Sequence, residues 1–165
     1  MASKSVLIVV GSENDVPKVQ PAADVLGDLG VAFELRVASA HRTPKRAVDL
    51  SSGARDRGVG VVIAAAGLAA HLPGVVAAHT TLPVIALPIA AGTLGGVDAL
   101  LSGVQMPPGI PVASVGIDAG RNAGILAAEI LGVGDRRLAA RIGRLRARAA
   151  KAVEAADGRI RRAGR

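Results

Sequence analysis

The chain has 165 residues, half of them hydrophobic, with a single aromatic residue (Phe33), no cysteine and a formal net charge of +7. That length suits one domain over residues 1–165 with one sizeable core, and the apolar content argues against disorder. The lack of cysteine excludes disulfides and thiolate metal sites, no apolar run is long enough for a membrane span, and a strand predicted from Ser5 leaves no room for a secretory leader. A soluble cytoplasmic protein is expected. Residues 135–165 carry 11 of the 20 basic residues and only 3 of the 13 acidic ones, so the body of the chain is close to neutral. With no aromatic stacking residues beside those charges, the basic segment reads as a solvated Arg-rich helix and not as a nucleic-acid surface. A core of Val, Ile, Leu and Ala packs thinly, which predicts further burial against copies of the same chain.

The first predicted strand, Ser5–Val10, runs into Gly11-Ser12-Glu13-Asn14-Asp15-Val16-Pro17 and a helix near Val16–Leu29. Gly11 suits a tight turn, Ser12 and Asn14 are hydrogen-bond donors, and the helix amino terminus beyond them is a natural phosphate site. Asp15 suits ribose hydroxyls. The alternative is that Ser12, Asn14 or Asp15 only caps the helix. No Gly-Lys-Ser/Thr follows and no Gly-x-Gly-x-x-Gly is present, so this is neither a P-loop nor a dinucleotide fingerprint.

The second strand, Ala32–Ala38, leads to Ser39-Ala40-His41-Arg42-Thr43-Pro44 and a helix over Pro44–Arg57. Arg42 can pair with a phosphate, Ser39 and Thr43 add hydroxyls, and Pro44 suits a first helical turn. Histidine is the side chain whose ordinary pKa, about 6.5, lies near neutrality, so His41 is the candidate proton carrier. A structural histidine is the alternative.

The third strand, Val59–Ala65, opens into the small, apolar stretch Ala66-Gly67-Leu68-Ala69-Ala70-His71-Leu72-Pro73-Gly74, with a helix over Pro73–His79. Its backbone amides could approach a carboxylate or carbon dioxide closely and keep water out, or its small residues could serve helix–sheet packing. His71 could bind ligand or cap the helix. After the fourth strand, Pro83–Leu87, the Gly-rich stretch from Pro88 to Gly96 suits a lid or a subunit contact before a helix over Gly95–Val104. Gln105-Met106-Pro107-Pro108-Gly109 reads as a turn ahead of a fifth strand, Val112–Val115. Helices near Asn122–Leu131 and from about Asp135 to Ala156 follow, and residues 157–165 read as a flexible tail.

Strand and helix alternate throughout, and three strands are near-continuous apolar runs, as parallel strands buried on both faces are. The expected fold is a three-layer αβα sandwich with a flavodoxin-like parallel sheet of about five strands and an extra C-terminal helix. Ligands of such sheets sit beyond the carboxyl ends of the strands, where these loops lie.

Four motifs in register carry a family resemblance: Gly11-Ser12-x-x-Asp15, Ser39 to Pro44, Ala69-Ala70-His71-Leu72-Pro73-Gly74 and Val104-Gln105-Met106-Pro107. From about Ser5 to Leu131 the chain resembles the class I N5-carboxyaminoimidazole ribonucleotide mutases of purine biosynthesis, the catalytic subunit of phosphoribosylaminoimidazole carboxylase. Arg42-Thr43 and the His-Leu-Pro-Gly run distinguish it from the class II branch, which carboxylates aminoimidazole ribonucleotide directly with carbon dioxide. The resemblance implies an octamer with sites at subunit contacts, no metal, no organic cofactor and a functional link to an ATP-dependent N5-carboxyaminoimidazole ribonucleotide synthase. It assigns proton transfer to His41. Phosphate and ribose binding fall on Ser12, Asn14, Asp15, Ser39, Ala40 and Arg42, and the carboxylate falls to Gly67, Ala70, His71 and Leu72. The chain departs from the family pattern at Asn14, where Ser is usual, at Leu68, where Gly is usual, and at Ala90-Ala91, where Gln-Ser is usual. The Ile117–Asn122 segment is about two residues short. A paralogous decarboxylase or carboxylase of a related ribonucleotide is the alternative reading.

Overall fold

Strand formation follows the apolar runs. The computed structural model describes residues 4–164. Five strands, β1 (Ser5–Val10), β2 (Phe33–Val37), β3 (Val59–Gly67), β4 (Val84–Ile89) and β5 (Ala113–Ser114), form one sheet of order β2-β1-β3-β4-β5. All neighbouring pairs are parallel. The helices are α1 (Val16–Asp28), α2 (Pro44–Ser52), α3 (Leu72–Ala78), α4 (Val97–Val104), α5 (Gly120–Gly132) and α6 (Arg136–Ala163), with one 3-10 turn at Glu13–Asp15. The strand order is the flavodoxin-like one, whose direction of progression reverses beside β1.

The period of two along each strand divides the core between two layers. Val6, Ile8 and Val10 of β1 pack with Val19, Ala22 and Leu26 of α1, Ala123 and Ala127 of α5, and Leu138 and Ile142 of α6. Leu7 and Val9 point the other way, towards Ala47 and Leu50 of α2, Leu72 and Val76 of α3, and Ala99 of α4. Each fully buried Val, Leu or Ile contributes roughly 1.5–3 kcal/mol from area removed from water. β1 and β3 therefore anchor both layers at once.

Several element ends differ from the sequence expectation, and three of the differences have a local cause. α2 stops at Ser52 and not at Arg57, because Gly53 caps it and the Arg57 guanidinium folds back to donate to the Leu50 carbonyl at 2.8 Å. β5 has only two residues, since Pro107, Pro108 and Pro111 shortly before it lack the amide a ladder requires. α6 continues through residues 157–163, where a flexible tail is expected. Gly158 does not break it; Asp157 pairs with Arg161 one turn on, and Arg161 and Arg162 sit in the last turn, where the helix dipole favours cations.

Two close approaches hold the loops in place. α5 lies on α1 through Gly120 and Gly124: a Cβ on Gly124 would stand 2.7 Å from the Ala22 carbonyl oxygen and 2.6 Å from Val25 Cγ1. Asp118, at φ 55°, joins three elements. Its amide donates to the Pro88 carbonyl at 2.9 Å, its carboxylate accepts the Ala90 amide at 3.0 Å, and it pairs with Lys18 of α1. Burial pushes the Asp118 carboxyl up, but the Lys18 and Ala90 bonds outweigh it and hold the group below the ordinary carboxylate value.

Two outcomes follow from these contacts. Gly124→Ala is expected to destabilise the fold by about 1–3 kcal/mol through overpacking, although Ala favours a helix by about 1 kcal/mol over Gly. Urea unfolding measures this, and a midpoint at or above wild type would contradict it. Asp118→Asn, which tolerates the left-handed backbone, is expected to lose about 1 kcal/mol at pH 7. The folded-state value lies below the unfolded one, so Asp118 contributes fully above the unfolded value, and the contribution fades as pH falls through the folded value. Thermal midpoints of the two proteins should therefore draw together as pH falls below the ordinary carboxylate value; a gap that stays constant would remove the charge from the account.

Candidate active site

The loops after β1, β2, β3 and β4 surround an open cleft of about 530 Å³ at the carboxyl edge of the sheet. That volume suits a small ligand. Gly11, Ser12, Asn14 and Asp15 come from the first loop, and Ser39, Ala40, His41 and Arg42 from the second. Ala66, Gly67, Leu68, Ala69, His71 and Leu72 come from the third, and Ala91 from the fourth. One part of the lining is polar, the other almost wholly apolar.

The first loop resolves the capping question in favour of a free carboxylate. The Ser12 hydroxyl accepts the Asn14 amide at 3.3 Å and so caps the 3-10 turn. Asp15 stands at the amino terminus of α1 without any side-chain capping bond. Burial raises the Asp15 carboxyl above its ordinary value, against the Ser12 amide and the Arg42 charge, which pull it down.

The second loop is a tight turn organised by two hydroxyls. Thr43 Oγ1 accepts the Ser39 amide at 2.9 Å, and the Thr43 amide donates to the Ser39 carbonyl at 2.9 Å. Ser39 Oγ accepts from the backbone amides of His41 at 3.4 Å and Arg42 at 3.2 Å. With its lone pairs so used, the Ser39 hydroxyl keeps its proton to donate. Thr43 itself does not line the cleft; its hydroxyl is spent inside the turn. Arg42 Nη2 donates to the Gly11 carbonyl at 2.8 Å, tying the second loop to the first.

The third loop brings His71 to His41. His41 Nε2 and His71 Nδ1 lie 2.7 Å apart, with the rings edge to face. One nitrogen holds the proton and the other accepts it. His71 precedes α3 but makes no side-chain cap, so the capping alternative does not hold. The remaining predicted residues also line the cleft, with one exception. Ala70 is buried in the core beneath the loop, where its methyl meets the layer that contains Leu72 and Val76. Leu68 and Ala91, which the sequence marks as departures from the family pattern and not as ligand contacts, line the cleft as well. Their positions follow from loop backbone geometry, for which the sequence offers only glycine spacing. Among the described residues, no three His, Cys, Asp or Glu side chains gather where they could hold a metal ion, and no helix is long and apolar enough to cross a membrane.

The sequence and the architecture have close counterparts. Residues 5–152 match the family model described as AIR carboxylase. The chain is 52% identical over 155 residues to an N5-carboxyaminoimidazole ribonucleotide mutase of Methanocaldococcus jannaschii, covering 94% of this chain and 96% of that protein. It is 48% identical over 155 residues to the protein of the same name from Mycobacterium tuberculosis, covering 94% of this chain and 89% of the other. The crystal structure of Treponema denticola PurE superposes with a TM-score of 0.85 at 28% identity, over 94% of this chain and 98% of that one. On the match over residues 5–152 and these identities, the chain belongs to the AIR carboxylase family.

Proposed function

We propose that this chain is an N5-carboxyaminoimidazole ribonucleotide mutase of purine biosynthesis, one mutase-like domain working in the cytoplasm. The observation that carries the reading is the His41–His71 contact, set where the polar and apolar parts of one cleft meet. Its relatives in Methanocaldococcus and Mycobacterium bear that name, and four loop motifs fall around the cleft.

The polar part suits the ribose phosphate. Arg42 supplies charge and paired donors, Ser39, Ser12 and Asn14 supply further donors, and the start of α1 adds its dipole. Asp15 accepts from ribose hydroxyls, and Ala40 forms the floor between the loops. The aminoimidazole ring then lies towards the histidines and its carboxyl towards Gly67, Leu72 and the apolar lining. The exocyclic nitrogen–carbon bond breaks, the electron pair returns to nitrogen, and His41 supplies the proton that completes aminoimidazole ribonucleotide. Ring carbon four then attacks the freed carbon dioxide, and His41 takes up the proton that this carbon loses. The net change is an isomerisation that draws on no metal or organic cofactor. General acid–base help of this kind contributes about 10²–10⁴-fold.

Assembly belongs to the same reading. Val97, Leu101 and Val104 form an exposed apolar stripe along α4, with exposed Leu94 just before it. Spaced at i, i+4 and i+7, they favour burial against another copy, as part of an octamer with sites near its subunit contacts. A synthase that uses ATP to make the N5-carboxylated nucleotide is the expected supplier of substrate.

Purified protein is expected to convert N5-carboxyaminoimidazole ribonucleotide to the ring-carboxylated isomer without ATP, followed by NMR. No turnover under those conditions would refute the mutase, and product formed only from aminoimidazole ribonucleotide and carbon dioxide would favour direct carboxylation. His41→Asn should lower turnover by about 10²–10⁴-fold and leave nucleotide affinity within a few-fold of wild type. Leu101→Asp should shift the sedimentation profile from octamer to smaller species; an unchanged profile would move the interface elsewhere.

A further inference from the structure

Leu68 carries two local disadvantages at once. Its φ of 55° lies in the left-handed region that side-chain-bearing residues rarely adopt. Its large apolar side chain is 53% exposed. Glycine would avoid both, so the residue's use must lie in something its side chain touches or covers.

The neighbours identify it. Gly67, Leu68, Ala91 and Gly92 bring the third and fourth loops together at the lip of the cleft. A Cβ on Gly67 would stand 3.1 Å from Ala91 Cβ and 3.1 Å from the Ile89 carbonyl oxygen. A Cβ on Gly92 would stand 2.8 Å from Leu68 Cδ2, and Gly92 itself has φ 63°. The Leu68 side chain thus rests on the one face of the fourth loop that a missing Cβ leaves open. That loop also carries Gly95 and Gly96 at positive φ, backbone conformations that glycine adopts without strain. The surrounding lining is Ala66, Ala69 and Ala91, with no charged group.

We infer that Leu68 is a latch between the third and fourth loops, which closes the apolar part of the cleft over the substrate's carboxyl group and retains the carbon dioxide released there. The inference rests on the mutase reading above. Half-exposed in the unliganded chain, the side chain becomes covered when substrate fills the cleft, and that burial stabilises the closed form. A latched cleft commits carbon dioxide to ring carbon four. An unlatched one lets it leave, so that aminoimidazole ribonucleotide accumulates and dissolved carbon dioxide competes for the ring carbon.

The test compares wild type, Leu68→Ala, Leu68→Gly and Leu68→Met on N5-carboxyaminoimidazole ribonucleotide in ¹³C-bicarbonate buffer with carbonic anhydrase. The readout is label in the ring carboxylate, together with free aminoimidazole ribonucleotide above the uncatalysed background. The Ala and Gly variants should raise both by about tenfold, since losing one buried leucine shifts a closing equilibrium by at least that factor. Leu68→Met should restore retention. Leu68→Gly relieves the backbone, so a folding defect does not explain a leak in that variant. Wild-type retention in both Ala and Gly variants would overturn the latch. A leak in Gly alone would also overturn it, because the backbone and not the side chain would then be responsible. If wild type fails to convert the substrate, the mutase reading fails first and the latch falls with it.

Discussion

The position of β1 between β2 and β3 is the constraint on which the cleft depends. His41 follows β2 and His71 follows β3, so the two histidines start from strands two places apart, roughly 10 Å by ordinary strand spacing. Their rings meet at 2.7 Å only because both loops lean over the end of β1. The backbone of that end is held from both sides. The Ala38 amide donates to Val10, the Gly11 amide to Ala65, and Arg42 to the Gly11 carbonyl. Val6 to Val10 are almost wholly buried, which fixes β1 in depth and register. A parallel sheet whose order reverses at this strand opens a crevice there, and the first loop lines it.

The two parts of the cleft differ in internal hydrogen bonding as well as in polarity. The Ser39–Thr43 turn carries five internal hydrogen bonds that involve its hydroxyls, beside the link from Arg42 to Gly11. The fourth loop has three glycines at positive φ and is held chiefly through Asp118. This division suits a reaction in which remote binding energy positions the reacting part. On the proposed chemistry, a phosphate on the hydrogen-bonded side anchors the nucleotide, and closure of the apolar side completes the enclosure. Retained carbon dioxide attacks within its own encounter, and well-oriented intramolecular reactions reach effective molarities of about 10⁵–10⁸ M.

Strand positions were legible because burial on both faces leaves an uninterrupted apolar run, as in β1, β3 and β4. Edge strand β2 was found through its residue types, although Phe33 and Val37 stay exposed. Ends were less legible: Arg57 turning back to cap α2 and the persistence of α6 past Gly158 depend on side-chain contacts beyond any local window. In the site, loop order placed His41, Arg42, Asp15 and His71 together, because parallel topology dictates which edge carries them. Ala70 alone among residues 66–72 turns away from the cleft into the core, a direction that a run of small residues does not reveal. Thr43 was read as a ligand hydroxyl, yet it serves the turn. The left-handed conformation of Leu68 shows in the sequence only through the glycine usual at that place, and that of Asp118 only through the tolerance of aspartate for it.

The contact between the histidines has a consequence for proton handling that neither ring has alone. With both rings neutral, the single proton between them sits on His41 Nε2 or on His71 Nδ1. In the first arrangement the other nitrogen of His41 is an acceptor; in the second it is a donor. Passing from the first arrangement to the second with both rings neutral takes three linked proton moves: one onto the outer nitrogen of His41, the shared one across to His71, and one off the outer nitrogen of His71. A carboxyl shift from nitrogen to carbon requires both roles in succession, a proton given to nitrogen and then one taken from carbon. On the proposed chemistry, the pair rather than His41 alone is the unit that carries the proton, and the geometry of β1 is what makes it a pair.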